Sequence, residues 1–193
     1  MCGRFFIQID KKDLEEIIAE VEANNQDKEG LASLKLEGEI FPTDTVVVKT
    51  ATTITPMKWG FKVGKGIVIN ARSETVTEKS MFRDAVLEHR CAIAASGYYE
   101  WKQTGSTKKT KYQFYLPDHG LLYLAGCYRV EHDSPLPTFV ILTREADPQF
   151  TEIHDRMPVA LTTQQADAWL RPGDIDLDET VKNSVAELET ALA

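Results

Sequence analysis

The chain has 193 residues, of which 42% are hydrophobic and 27% charged, and its formal net charge is −8. These values are typical of one globular domain, expected over residues 1–193, and the acidic balance argues against a protein that coats nucleic acid without selectivity. Three widely spaced cysteines without a CxxC pair indicate neither a disulfide framework nor a metal site. With no membrane-spanning apolar run or signal peptide pattern, we expect a cytoplasmic protein without a cofactor.

In chain order, short apolar and β-branched runs predict strands, and helical spacing predicts a few helices between them. The predicted strands cover 3–9, 46–48, 52–54, 67–69, 91–95, 112–116, 121–125, 138–142 and 159–161. The predicted helices follow Asp10, with Leu14, Ile17, Ile18 and Val21 on one face, and cover 80–89, 146–153, a segment capped by Thr162 or Thr163, and 176–192. Residues 102–111 are expected at the tip of a hairpin. This order predicts an α+β fold built mostly on antiparallel sheet.

The second residue of the chain is a cysteine. Removal of Met1 would leave Cys2 with a free α-amine beside its thiol. Such a pair can condense with an aldehyde, because the amine forms an imine and the thiol closes a five-membered thiazolidine ring. Unperturbed pKa values of about 7.7–8.0 for the amine and about 8.5 for the thiol keep both partly nucleophilic near neutral pH. The alternative is a small apolar residue that opens a strand, and position alone favours that alternative.

Three further polar residues are candidates for chemistry. Asn70 directly follows a predicted strand, where polar residues often face a site, although it could equally form a turn. Glu100 has aromatic neighbours that could raise its pKa and suit it to proton transfer, but an outward-facing glutamate is the simpler interpretation. His154 lies between a predicted helix and a strand, and a surface histidine paired with Asp155 is as plausible as a catalytic one.

Three arginines lie within two residues of these candidates. Arg4, Arg72 and Arg156 would form a phosphate-binding cluster if the candidates converge in space. Trp59 and Phe61 would then be available to stack on exposed bases. Core packing is the alternative for both aromatic residues, and the pattern favours it more for Phe61 than for Trp59.

Several blocks of the chain together resemble the SOS response-associated peptidase (SRAP) family. They are residues 1–5, 59–61, 69–75, 81–82, 97–101 and 154–158, which read MCGRF, WGF, INARSET, MF, GYYEW and HDRMP. The resemblance implies a barrel-like core of mostly antiparallel sheet with peripheral helices. It also implies a monomeric protein that recognises abasic sites in single-stranded DNA and that associates with the nucleoid when bound.

The resemblance assigns a role to each candidate. Cys2, released by an autocatalytic N-terminal peptidase step, would form a thiazolidine crosslink with the abasic sugar in a lyase-like reaction. Asn70 would orient Cys2, Glu100 would expose the amine and transfer protons, and His154 would assist sugar ring opening and reversal of the crosslink.

The resemblance also implies how DNA is held. Arg4, Arg72 and Arg156 would hold phosphates that flank the lesion, Arg83 is a looser candidate for the same work, and Trp59 would contact DNA. One position departs from the family pattern, because many members have an asparagine where this chain has Glu39. The chain also ends soon after its last predicted helix.

Two other classes of function remain open from the residues alone. An N-terminal-nucleophile amidohydrolase would use the same free amine and thiol on a small amide. A non-covalent binder of single-stranded DNA would use the arginines and keep Cys2 as a structural residue.

Overall fold

The structure of the protein is a computed structural model that describes residues 2–8, 18–19, 21–23, 32–132, 134–185 and 187–193. The helix predicted after Asp10 lies largely outside the described residues, which do not include Asp10, Leu14 or Ile17. Met1 is also outside them. Ile18 and Val21 are helical, as predicted.

Strands make up most of the regular structure. They are β1 (Phe5–Ile7), β2 (Gly38–Ile40), β3 (Thr45–Lys49), β4 (Ile54–Trp59), β5 (Phe61–Val63), β6 (Gly66–Val68), β7 (Asn70–Arg72), β8 (Arg90–Ala95), β9 (Gly97–Gln103), β10 (Lys109–Tyr115), β11 (Leu122–Arg129), β12 (Thr138–Glu145), β13 (Arg156–Pro158), β14 (Ala160–Leu161) and β15 (Glu189–Leu192). Besides the helical residues at 18–19 and 21–23, the described parts of the chain contain the helices α1 (Ser80–Glu88), α2 (Thr163–Trp169) and α3 (Leu177–Lys182), with 3-10 turns at Ser73–Thr75 and Pro148–Phe150.

Five strands close into a barrel in the order β12-β4-β3-β8-β11, because β11 also pairs with β12. Only the β12–β4 pairing within this ring is parallel. The strands β7 and β13 extend the sheet from β12, and β14 extends it from β11. The predicted α+β class and the barrel-like, mostly antiparallel core are confirmed.

A second, antiparallel sheet has the strand order β15-β10-β9-β1-β2. Successive side chains of a strand point to opposite faces, so one face of this sheet can be buried while the other is accessible. The buried face contributes Phe5, Tyr98 and Phe114 to an apolar cluster that also contains barrel residues such as Trp59 and Phe139. This cluster is the part of the core beside which the candidate site is built.

The helices lie at the periphery, as predicted. The buried residues of α1 and α2, including Phe82, Val86 and Trp169, belong to a second apolar cluster on the barrel strands. Thr162 is the N-cap of α2 and forms a capping box with Gln165. Among the described residues, no helix is long and apolar enough to cross a membrane.

Two helix predictions were wrong. Within the stretch 146–153, the chain forms only the turn Pro148–Phe150. Within 176–192, the helix stops at Lys182, and the last residues form β15, which pairs with β10. The helical spacing of Val185 and Leu188 was misleading, because both residues pack on the first cluster from non-helical backbone. A strand is favoured here because it satisfies the backbone groups along the edge of β10.

Buried Arg90 ties the ends of α1 and α2 together. Its guanidinium group donates five hydrogen bonds of 2.6–3.3 Å to backbone carbonyls. The accepting residues are Val86, Leu87, Trp169, Arg171 and Gly173. A positive charge is stabilising at the carboxyl ends of helices, where carbonyl groups lack helical partners.

We expect Arg90→Met to lower the free energy of unfolding by about 3 kcal/mol, because buried carbonyls lose their donors. Such a loss corresponds to a decrease in Tm of roughly 6–12 °C for a chain of this size, measurable by thermal denaturation. Arg83→Met on exposed α1 surface is the matched control and should change stability by less than about 0.5 kcal/mol. Equal melting temperatures for the two variants would contradict this role of Arg90.

Candidate active site

Cys2 lies three residues before the start of β1, and its side chain is fully buried in the first cluster. Its sulfur lies 3.9 Å from the carbonyl oxygen of Arg4. Burial, followed by the nearby charge of Glu100, raises the pKa of the Cys2 thiol well above its usual range. The sulfur is therefore a neutral S–H group at pH 7 until a base accepts its proton.

Asn70 connects Cys2 to the barrel. It opens β7, which pairs in parallel with β12, so the barrel backbone fixes its position. The Asn70 Nδ2 group donates a 2.9 Å hydrogen bond to the carbonyl oxygen of Cys2. The structure thus brings together two residues that are 68 positions apart in the chain. Within the described part of the chain, the buried Asn70 Oδ1 atom has no hydrogen-bond partner.

Glu100 lies on the inner face of β9 and is 3% exposed. The simpler interpretation of an outward-facing glutamate is therefore wrong. Burial raises the pKa of Glu100 to about 7, and the charge of Asp155 acts in the same direction. A carboxyl group with this pKa exists in both protonation states near neutrality, which suits it to accept and return a proton.

His154 lies between the turn Pro148–Phe150 and β13, and its Nε2 atom is 3.8 Å from Glu100 Oε2. Burial lowers the pKa of His154, so its ring is mostly neutral at pH 7. The backbone N–H of Arg156 donates a 3.0 Å hydrogen bond to Nδ1. The proton of the neutral ring therefore belongs on Nε2, the nitrogen that faces Glu100. A protonated ring could instead donate from Nδ1 to Asp155, 2.9 Å away.

Glu100 and His154 line an open cleft of about 770 Å³. Trp101 and Lys109 form other parts of its wall. A volume in this range accommodates a ligand of the size of a nucleotide. No group of three potential metal ligands occurs among the residues that the structure describes. The cleft gives a ligand access to an acid–base pair whose electrostatic neighbour is the buried Cys2 thiol.

Arg4 lies on the accessible side of the second sheet. Its Nη1 atom donates a 3.1 Å hydrogen bond to Glu39 Oε2. Its guanidinium carbon lies 3.9 Å from the ring centroid of Phe41 and 5.2 Å from that of Trp101, both within the range of cation–π attraction. The family departure at Glu39 thus falls on a residue that directly contacts Arg4.

Arg156 is largely buried, and its guanidinium group is already paired with a carboxylate. Both of its terminal nitrogens donate to the carboxylate of Glu74, at 2.7 and 2.9 Å. One of them also donates to the carbonyl oxygen of Thr143 at 2.8 Å, and the arginine side chain is only 11% exposed. A phosphate would have to compete with this bidentate pair.

The two remaining arginines are exposed. Arg72 ends β7, two residues after Asn70, so it lies on the strand whose Asn70 is hydrogen-bonded to Cys2. Arg83 lies on α1, whose buried residues pack into the second cluster and not into the cluster that contains Cys2. Arg72 is thus placed near the candidate site, and no described contact links Arg83 to it.

The proposed stacking role of Trp59 is corrected by its burial. The side chain is 0% exposed, packs with Phe5 and Phe139, and donates from Nε1 to the carbonyl oxygen of Ile69 at 3.0 Å. No face of the indole is available to a base. Phe61 is likewise fully buried, in agreement with the alternative of core packing.

Sequence reasoning missed the aromatic residues that are accessible. Phe41 is 39% exposed and Trp101 is half-buried, and both rings lie beside Arg4. The period of a strand contained the signal for Trp101, because a residue next to an inward-facing Glu100 points to the opposite face. No comparable pattern marks Phe41, which lies just after β2.

A family model described as SOS response associated peptidase (SRAP) matches residues 1–192. The chain belongs to the SRAP family. This SRAP chain is 31% identical over 199 aligned residues to the abasic site processing protein YoqW of Bacillus subtilis, with 92% of this chain and 84% of that protein covered. The family assignment made from short motifs is therefore confirmed.

Other relatives match along shorter parts of their own length. The abasic site processing protein YMR114C of Saccharomyces cerevisiae is 31% identical, over 93% of this chain and 56% of that protein. YedK of Escherichia coli, with the same description, is 34% identical over 60% of this chain and 54% of that protein.

Solved structures share the SRAP fold seen here. A crystal structure of a protein from Bacteroides thetaiotaomicron superimposes with a TM-score of 0.77 at 20% identity, covering 99% of this chain and 91% of that one. A phage-related protein from Bordetella bronchiseptica gives a TM-score of 0.74 at 20% identity, covering 100% and 94%. At this level of identity the likeness concerns the fold alone.

Proposed function

We propose that this SRAP protein recognises abasic sites in single-stranded DNA and captures them through a thiazolidine formed by Cys2 after removal of Met1. The observation that carries the proposal is the placement of Cys2, which is fixed by Asn70 and lies within electrostatic reach of Glu100. The names of the relatives, which describe abasic site processing, supply the class of substrate.

The proposed reaction needs no oxidant or reductant. Hydrolysis of the Met1–Cys2 peptide bond frees the α-amine. The amine then attacks the aldehyde carbon of the ring-opened abasic sugar, and loss of water gives an imine. The sulfur of Cys2 adds to the imine carbon while its proton passes to the imine nitrogen, which closes the thiazolidine. The product equals protein plus DNA minus one water molecule.

Glu100 and His154 supply the proton transfers. A carboxyl group of pKa about 7 can take a proton from the Cys2 ammonium and return one to the departing water. The same carboxylate can accept the S–H proton, which compensates for the raised pKa of the buried thiol. Neutral His154, with its proton on Nε2, can donate to the sugar ring oxygen as the ring opens.

DNA recognition would rest on groups that ignore base identity, because an abasic nucleotide has no base to read. Arg4 and Arg72 are suitable phosphate ligands, and Arg156 would join them if the phosphate displaces Glu74. Phe41 and Trp101 offer accessible rings next to Arg4 for stacking by neighbouring bases. A local cationic surface of this kind is compatible with the negative net charge of the chain.

The test is a mixture of purified protein with a single-stranded oligonucleotide that contains one abasic site. We expect a complex that survives denaturing electrophoresis, with the mass of protein plus DNA minus water, and none with an intact oligonucleotide. Intact-protein mass spectrometry verifies that Met1 has been removed. A preparation without Met1 that forms no covalent complex would refute the proposal, and reversible binding alone would then favour a non-covalent DNA-binding protein.

A further inference from the structure

A single carboxylate bridges two cations on the accessible face of the second sheet. Glu39 Oε2 accepts a 3.1 Å hydrogen bond from Arg4, and Glu39 Oε1 accepts one from Lys111 Nζ. The two cations reach Glu39 from different strands, because Arg4 directly precedes β1, the neighbour of β2, and Lys111 belongs to β10, two strands further along the sheet. The carboxylate that both cations contact lies on the edge strand β2.

Aromatic rings hold both cations in place. Arg4 lies against the rings of Phe41 and Trp101, and Lys111 Nζ is 3.7 Å from the ring centroid of Tyr99. The attraction between a cation and an aromatic face does not depend on which anion pairs with the cation. The two positive groups therefore keep their positions when the bridging anion leaves.

We propose that Glu39 occupies the position of a DNA phosphate, that Arg4 and Lys111 form one phosphate-binding pair, and that the incoming strand displaces the Glu39 carboxylate. The proposal rests on the proposed function, since it assigns a phosphodiester as the ligand of this pair. It adds Lys111 as a binding residue and makes Glu39 a determinant of strand selectivity.

Charge and exposure allow the exchange. The side chains of Arg4, Glu39 and Lys111 are 29%, 34% and 22% exposed, so a strand can reach the carboxylate from solvent. The hydrogen bond from Lys111, followed by its charge and that of Arg4, holds the pKa of Glu39 below its usual range, so Glu39 stays ionised at neutral pH. Two oxygens of a phosphate can replace the two carboxylate oxygens, each with one cation.

The consequence is weak binding of strands that carry no aldehyde. Displacement of Glu39 costs the same for an intact and for an abasic strand, because phosphates carry no lesion information. Intact strands therefore dissociate quickly, whereas abasic strands are retained by the covalent bond. Glu39 makes the chemical step, and not charge attraction, decide which strand stays bound.

The test measures reversible binding of a fluorescent intact single-stranded oligonucleotide at several salt concentrations. We expect Glu39→Gln to bind about tenfold more tightly, because the strand no longer displaces a carboxylate, with a salt slope close to that of the wild type, because the same phosphate is contacted in both proteins. Glu37→Gln is the control, because it removes the same charge from an exposed residue two positions earlier. Equal gains in the two variants, or no gain in Glu39→Gln, would overturn the proposal.

Lys111→Gln tests the pair without altering Glu39. We expect about fivefold weaker binding and a salt slope shallower by about 0.7. Lys108→Gln, in the exposed hairpin tip, should bind like the wild type. If Lys111→Gln behaves like Lys108→Gln, Lys111 is not a phosphate ligand and the proposal fails.

These outcomes are separable from those of the proposed function, since the oligonucleotide contains no abasic site. Wild-type protein that never crosslinks to abasic DNA, together with the expected shifts in Glu39→Gln and Lys111→Gln, would refute covalent capture alone. Crosslinking without those shifts would refute the phosphate pair alone.

Discussion

Cys2→Ala should form no denaturation-resistant complex with abasic DNA, while its reversible binding to an intact strand stays unchanged. Alanine keeps the α-amine after Met1 removal but lacks the sulfur that closes the thiazolidine. The variant should therefore stop at the imine, which borohydride reduces to a stable amine. We expect a covalent band from Cys2→Ala only when borohydride is present, and a wild-type band in either condition.

The other cysteines provide the control. Cys91 and Cys127 are buried thiols whose pKa values are raised by burial, like that of Cys2. Cys127→Ala should retain the borohydride-independent band. A band of wild-type intensity from Cys2→Ala without borohydride would show that the bond forms elsewhere, and loss of the band from Cys127→Ala would remove the distinction on which the assignment rests.

Glu100→Gln should slow crosslink formation by about 100-fold, since positioned proton transfer contributes roughly 10²–10⁴ in rate. The amide keeps the shape of the side chain but cannot exchange a proton. In the wild type we expect an inflection in the rate near pH 7, where Glu100 titrates. Single-turnover rates between pH 5.5 and 8.5 should show that this inflection is absent from Glu100→Gln.

Although Glu100→Gln should slow the reaction, it should make the folded protein more stable at high pH. The pKa of Glu100 is higher in the folded state than its ordinary value of 4.5, so the folded protein binds the proton more tightly than the unfolded chain. Stability of the wild type therefore falls as pH rises from about 4.5 to about 7, by up to about 3 kcal/mol. Glu100→Gln removes this loss and should melt at a higher temperature than the wild type at pH 8, but not at pH 4.

Glu152 offers a matched control for both measurements. It lines the same cleft, but its side chain is 84% exposed and paired with Lys102. Glu152→Gln should keep the wild-type rate, pH profile and melting temperature. A rate for Glu100→Gln equal to that of Glu152→Gln would exclude Glu100 as the proton-transfer group.

The sequence predicted the elements of the barrel better than the ends of the chain. The run 91–95 is continuously apolar and the run 138–142 is apolar after Thr138, and both proved to be buried barrel strands. The segment that became β15 has no comparable run, and its pairing with β10 depends on an edge formed by residues more than 70 positions away. Local spacing cannot reveal a partner of that kind.

The site was predicted by residue type and family pattern, and not by geometry. No spacing rule places Asn70 against Cys2, because the contact depends on the pairing of β7 with β12. Trp59 could have been assigned correctly from strand period, since it lies on the same face as buried Met57 and opposite exposed Lys58. The ion pair of Arg156 with Glu74 joins residues 82 positions apart and left no local signal.

The hydrogen bond from Asn70 is made to the carbonyl group of Cys2, on the far side of the residue from the bond to Met1. Cutting the Met1–Cys2 bond leaves that carbonyl untouched. If Met1 is removed as proposed, the chain before and after removal can therefore share this anchored geometry, and the α-amine of Cys2 is exposed without refolding of its surroundings. Under the proposed chemistry, a protein with a fusion partner attached ahead of Cys2 would fold and bind DNA but would form no crosslink.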